Sequence, residues 1–232
     1  MSDARAVFVA GAGTEIGKTY VTAALTRRLR ALGRGVRTLK PLASGVPPLD
    51  AADFAQSDTG RLLAAQGLAV TPETVAACSP WRFAAPLSPD LAAAREGRTL
   101  ALDDLLGWCR REIAVTPPET TLLIEGVGGV MSPVTGAATG LDWLTALRLP
   151  ALLVSGSYLG AISHALTAAE TLHAHGVPLL GIVVCASPDA PTPPAFVAAA
   201  IARHQVVPVM IIARDGDCPV DLADLVHPAS AA

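Results

Sequence analysis

Short, continuously apolar runs recur along the chain: Ala6 to Ala10, Val36 to Leu39, Thr121 to Ile124, Ala151 to Val154, Leu179 to Val184 and Val206 to Ile212. Runs of this kind, too short for helices, are the pattern of strands buried on both faces. Helically spaced segments separate them, at about 18–32, 57–66, Leu91 to Glu96, Leu102 to Ile113, 161–174 and Ala195 to His204. Gly33 and Gly35 close the first of these helices. Residues 67–88 are rich in Pro and lack a clear period, so they read mainly as loop. Strands alternating with helices predict an α/β fold, a doubly wound and mainly parallel sheet with helices on both faces. The length of 232 residues suits a single domain over 1–232, with a frayed tail at 228–232. In such sheets ligands sit at the carboxyl ends of the strands.

Composition agrees with that picture. A hydrophobic fraction of 51% against 16% charged fits a sheet covered on both sides. A formal net charge of −3 gives no basic footprint for nucleic acid. No apolar stretch has the length of a membrane span, and Met-Ser-Asp-Ala-Arg is not a signal peptide. Cys78, Cys109, Cys185 and Cys218 have neither metal nor redox spacing and read as reduced thiols of a cytoplasmic protein.

Chemistry collects at four strand ends. The first run leads into G-A-G-T-E-I-G-K-T, Gly11 to Thr19, and then directly into a helical segment. Strand, Gly-rich turn, Gly-Lys-Thr and helix form the context of a phosphate-binding loop. Backbone N–H groups and the helix dipole cradle phosphate oxygens, Lys18 reaches the terminal phosphates, and the Thr19 hydroxyl sits on Mg²⁺. Five residues, rather than the usual four, separate Gly11 from Gly17, so this is a variant loop. Next comes K-P-L-A-S-G, Lys40 to Gly45, whose lysine leaves a strand toward the ligand edge. In Q-S-D, Gln56 to Asp58, the acid precedes a helix and by itself reads as an N-cap. Last is E-G-V-G-G, Glu125 to Gly129, an acidic strand end that suits a metal-facing carboxylate.

The order of these segments resembles the dethiobiotin synthetase family over almost the whole chain. Two further stretches join the match: S-P-W-R-F-A-A-P-L-S-P (Ser79 to Pro89) and Y-L-G-A-I-S-H-A-L-T (Tyr158 to Thr167). The resemblance implies ATP-dependent closure of a cyclic urea on 7,8-diaminononanoate with CO₂ or bicarbonate, in biotin biosynthesis. The expected path runs through a carbamate and a carbamic–phosphoric anhydride, with Mg²⁺ and no covalent enzyme nucleophile. It implies that Gly13, Thr14, Glu15, Ile16, Gly17, Lys18, Thr19, Tyr20, Glu125 and Cys185 meet the nucleotide. Thr19, Asp58 and Glu125 would hold Mg²⁺. Lys40, Lys18 and Thr14 would be catalytic. Thr14, Lys40, Ser44, Gly128, Leu159 and Ser163 would meet the diamine substrate, whose carboxylate is bound partly by the other chain of a homodimer. Neither nucleic acid nor membrane is an expected partner.

Two positions depart from the family pattern. Cys185-Ala186-Ser187 stands where the family often has an adenine-reading Asn, and cysteine lacks the paired donor and acceptor of an amide. Ser163 stands where Asn is common. His164, in an apolar helix, reads as structural rather than as a general base, and Trp81, Phe83, Trp108 and Trp143 read as packing groups. The main alternative is a partitioning or regulatory ATPase of the variant-loop group, but its second lysine near the loop start is absent from Gly11-Ala12-Gly13. A cobyrinate-type amidotransferase would need a glutaminase domain that this length does not hold. A nucleotide-binding module without catalysis does not account for Lys40 and Ser44.

Overall fold

A computed structural model of the protein describes residues 5–188, 190–213 and 216–227. The elements begin with β1 (Arg5–Gly11), α1 (Lys18–Ala31), β2 (Gly35–Leu39) and β3 (Leu42–Ser44). A 3₁₀ turn at Phe54–Gln56 leads to α2 (Asp58–Gln66), α3 (Pro72–Cys78), β4 (Trp81–Phe83), α4 (Pro89–Arg95) and α5 (Leu102–Val115). After these come β5 (Thr120–Glu125), β6 (Pro133–Thr135), β7 (Ala138–Thr139), α6 (Gly140–Leu147), β8 (Ala151–Ser155) and α7 (Ala161–Ala174). The last described elements are β9 (Leu179–Cys185), α8 (Pro194–Ala202), β10 (Val209–Ile212) and α9 (Val220–Val226).

Six strands form one parallel sheet in the order β10-β9-β8-β1-β5-β2. The apolar runs alternate between two cores, as the two-residue period of a strand requires. Ala6, Phe8 and Ala10 of β1, with Leu122 and Ile124 of β5 and Leu153 of β8, face the core shared with α5 to α8. Val7, Val9, Leu123, Leu152 and Val154 face the opposite core, filled by Val21, Leu25 and Leu29 of α1 and Leu222 of α9. The doubly wound, parallel expectation is borne out. Among the described residues no helix is long and apolar enough to cross a membrane.

Several boundaries differ from the sequence reading. Residues 67–88 are mainly loop, as expected, but they also contain α3 and β4. Helix α3 starts at a Thr71 capping box with Pro72 in the first turn, and β4 pairs in parallel with β3, Leu42 beside Trp81 and Ser44 beside Phe83. The last strand starts at Val209, since Val206 is fully exposed and pairs with nothing in the sheet. The hairpin β6–β7 and the helices α6 and α9 are absent from the sequence reading, because elements of two to eight residues are too short to show a period. The expected fray at 228–232 lies outside the described residues. The aromatic side chains do pack: Phe8 meets Trp143 edge-on at 4.9 Å and Trp81 meets Trp108 at 6.1 Å.

Candidate active site

The variant loop spans Gly11 to Thr19 between β1 and α1. Its start is anchored by backbone bonds from Ala12 N to Val154 O at 2.8 Å and from Val130 N to Gly11 O at 2.9 Å. Gly17 caps α1 at φ 96°, a left-handed conformation that costs a side-chain-bearing residue energy. It also has no room for a side chain, because a Cβ there would lie 2.6 Å from Cys185 Sγ. Gly13 touches the second Gly-rich turn in the same way, at 3.3 Å from a Cβ built on Gly129. That turn keeps its shape through the Ser132 hydroxyl, which accepts from Gly129 N at 2.7 Å.

Four strand ends converge on one cleft of about 1060 Å³. Thr14, Glu15, Ile16, Gly17, Lys18, Thr19 and Tyr20 line it, as do Lys40, Ser44, Asp58, Gly128 and Cys185. Glu125 lies beneath, fully buried at the end of β5. Its Oε1 accepts from the Thr19 hydroxyl at 2.6 Å and from Lys40 Nζ at 2.6 Å. Lys40 Nζ also lies 3.1 Å from Asp58 Oδ2. Lys18 Nζ donates to the Gly13 carbonyl at 2.9 Å.

The charges perturb one another. Burial, reinforced by the Lys40 ammonium, lowers Lys18 to about 8. Burial also works against the charge on Lys40, but Glu125 and Asp58 overcome it and hold Lys40 above the ordinary lysine value. Burial works to raise Asp58, yet Lys40 and a bond from Thr19 bring it below the ordinary carboxylate value.

The N-cap reading of Asp58 is corrected. Ser57 caps α2, its hydroxyl accepting from Gly60 N at 3.1 Å, and this frees the Asp58 carboxylate for Lys40. Gly13 does not line the cleft; its carbonyl serves as the Lys18 acceptor. Leu159 and Ser163 lie at the start of α7, exposed and outside the cleft lining, with Leu159 88% exposed. His164 is also outside it, with Nδ1 2.8 Å from the Tyr158 hydroxyl. Cys185 packs its sulfur toward Gly17 and is 5% exposed, so the thiol supports the phosphate loop. Residues missed by the sequence reading include Gln56, Arg61 and Ser132. Arg61 was legible in principle, one helical turn after Asp58 on the same face; nothing local marked Ser132.

Strand, variant phosphate loop, helix and convergent lysines and carboxylates define a P-loop nucleotide-dependent enzyme. A family model described as AAA domain matches residues 5–213. A ParA family ATPase from Chlorobium tepidum TLS shares the fold with a TM-score of 0.50 and 11% identity, over 96% of this chain and 88% of that one. The protein named ATP-dependent dethiobiotin synthetase BioD from Methylobacterium nodulans is 70% identical, over 95% of this chain and 98% of its own length. One of the same name from Caulobacter vibrioides (strain NA1000 / CB15N) is 50% identical over 81% of this chain and 82% of its own. The chain belongs to the dethiobiotin synthetase family.

Proposed function

We propose that this cleft uses ATP and CO₂ to close a cyclic urea on 7,8-diaminononanoate, giving dethiobiotin in biotin biosynthesis. The observation that carries the reading is the convergence of Lys18 and Thr19 beyond β1, Lys40 beyond β2, Glu125 at the end of β5 and Asp58 at the start of α2 on one cleft. Family membership at 70% identity supports the substrate assignment.

The roles follow from position. Backbone N–H groups of Glu15 to Thr19 and the α1 N-terminus bind the phosphates. Lys18 and Lys40 neutralise charge spreading over the transferred phosphoryl group. Thr14 and Ser44 hydrogen-bond the carbamate and the amines. Their placement keeps the carbamate oxygen in line with the γ-phosphate and the second amine near the carbamate carbon. Val46, Pro86, Leu87 and Pro89 give the wall beyond Ser44 an apolar surface for the hydrocarbon chain.

Mg²⁺ is the metal this donor set suits. Thr19, Asp58 and Glu125 are hard oxygen donors. Glu125 Oε2 is buried without a hydrogen-bond partner among the described residues, an orphan that a cation would satisfy. Such a metal neutralises phosphate charge when bound. The chain acts as one domain and as a homodimer. The exposed Leu159 and Ser163, outside the lining of their own cleft, serve the substrate carboxylate in the partner's. The test is phosphate release in the presence of ATP. Release that requires both diaminononanoate and bicarbonate is expected; release indifferent to the diamine would instead mark a partitioning-type ATPase.

A further inference from the structure

The two ammonium groups and two carboxylates at the floor of the cleft are unevenly paired. Lys18 turns to a backbone carbonyl, while Lys40 takes both carboxylates, at 2.6 Å from Glu125 Oε1 and 3.1 Å from Asp58 Oδ2. The Glu125 oxygen that Lys40 holds also takes the Thr19 hydroxyl. Lys40 is 3% exposed and Glu125 is 0% exposed. A carboxylate this buried needs a counter-ion. One lysine therefore sits on both carboxylates assigned above to the metal.

We propose that Lys40 is the resident counter-ion of the metal site and that a divalent cation must displace it from Glu125 and Asp58. The proposal rests on the metal reading above. A cation bound to the Glu125 carboxylate, whether at the unpartnered Oε2 or at Oε1, would stand within a few ångströms of the ammonium on Oε1 if Lys40 stayed, and like charges repel strongly in a poorly solvated site. Lys40 therefore leaves the carboxylates as the cation takes them. The freed ammonium turns into the cleft that the lysine lines, toward the anionic phosphate and carbamate groups. Metal loading thus positions the second catalytic lysine. The same competition makes the site weak for metal alone. Among the described residues no group of three or more His, Cys, Asp or Glu could cage an ion. Nucleotide phosphates add oxygen ligands and give Lys40 a new anion, so metal and nucleotide strengthen each other's binding.

The test is Mn²⁺ binding to the full-length, nucleotide-free protein, followed by the paramagnetic signal of the free ion. Lys40→Met and Lys40→Gln should each bind Mn²⁺ about ten- to a hundredfold more tightly than the unaltered protein, the range typical for groups that tune metal ligands. Lys40→Arg, which keeps the charge, should stay weak. Lys40→Met with Asp58→Asn should lose the gain. Lys40→Met leaves Glu125 uncompensated and should melt lower, and Mn²⁺ should raise its Tm more than that of the unaltered protein. Lys40→Gln retains a donor to Glu125 and guards against loss of the fold. Equal Mn²⁺ affinity in the unaltered, Met and Gln proteins, with no excess thermal rescue, overturns the proposal and leaves the metal reading standing. Absence of Mn²⁺ binding in all of them overturns both.

Discussion

The wall of the cleft that carries Thr14 to Tyr20 rises from strands in the middle of the sheet. β1 lies between β5 and β8, and the loop beyond it is tied to both neighbours by the bonds of Ala12 and Val130. The facing wall, Ser44 to Val46 and Pro86 to Pro89, hangs from two three-residue strands that pair only with each other. Its own ties are Gly45 N to Ala85 O and Val46 N to Phe83 O, both at 3.0 Å. The first wall buries Ile16 and Lys18 beneath exposed Thr14 and Glu15, on a loop tied to the central sheet. The second is apolar and built from turns. Under the reading proposed above, phosphoryl chemistry belongs to the wall tied to the central sheet and recognition of the hydrocarbon chain to the wall built from turns.

The largest expected effect lies on the first wall. Lys18→Ala removes an ammonium aimed at developing phosphoryl charge, and turnover should fall by roughly 10²–10³. Among the described residues its ammonium hydrogen-bonds to the Gly13 carbonyl alone, so the Tm should change little. Near-normal turnover with both substrates saturating would break the division between the walls.

The first wall was legible in the chain; of the second, the segments Lys40 to Gly45 and Ser79 to Pro89 were legible but their pairing was not, for a physical reason. Gly11 to Thr19 is a local motif whose neighbours in sequence are its neighbours in space. Glu125 and Lys40 were legible because each ends an apolar run, and strand ends meet at one edge of a parallel sheet. The pairing of Leu42–Ser44 with Trp81–Phe83 joins segments far apart in the chain, each too short to show a period. Ser57 and Asp58 show another limit. Either residue type can cap a helix, and only coordinates show that Ser57 does so and leaves Asp58 to Lys40.

Gly17→Ala probes the first wall through its backbone. Alanine at φ 96° costs about 1–2 kcal/mol, and its Cβ would also collide with Cys185 Sγ at 2.6 Å. Nucleotide affinity should fall roughly tenfold or more, since 1.4 kcal/mol is a factor of ten. Binding of the diamine should change far less. Titration calorimetry with ATP, set against substrate-saturation kinetics, reads both.

Lys18 also gives the first wall a pH signature. Burial and Lys40 bring it to about 8 in the folded protein, against 10.5 for an ordinary lysine. Between those values the unfolded chain carries a proton that the folded chain lacks. The Lys18 contribution therefore opposes folding below pH 8 and is relieved as pH rises through that window. Triphosphate binding needs the ammonium, so ATP should bind with uptake of a proton above pH 8. Its affinity should fall by up to roughly tenfold per pH unit there. Calorimetry in buffers of different ionisation enthalpy measures the uptake. No uptake at pH 8.5 would mean that Lys18 stays charged without nucleotide.

The smallest effect belongs to the second wall and tests whether the two walls are separable. Gly45 sits at φ 69°, and a Cβ there would lie 3.2 Å from the Pro86 Cβ. Gly45→Ala should cost about 1 kcal/mol or more of stability, which for a chain of this size is a fall in Tm of roughly 2–4 °C. The strain falls beside Ser44 and Pro86, on the face assigned to the amines and the hydrocarbon chain, and away from the ties that hold the phosphate loop. KM for diaminononanoate should therefore rise several-fold while KM for ATP holds. Among the described residues Gly45 N bonds to Ala85 O, and no hydrogen bond joins Gly45 to the phosphate loop. A parallel rise in both constants would mean that the turns of the second wall also set the geometry of the phosphate loop. Substrate recognition and phosphoryl chemistry would then share one mechanical unit rather than two.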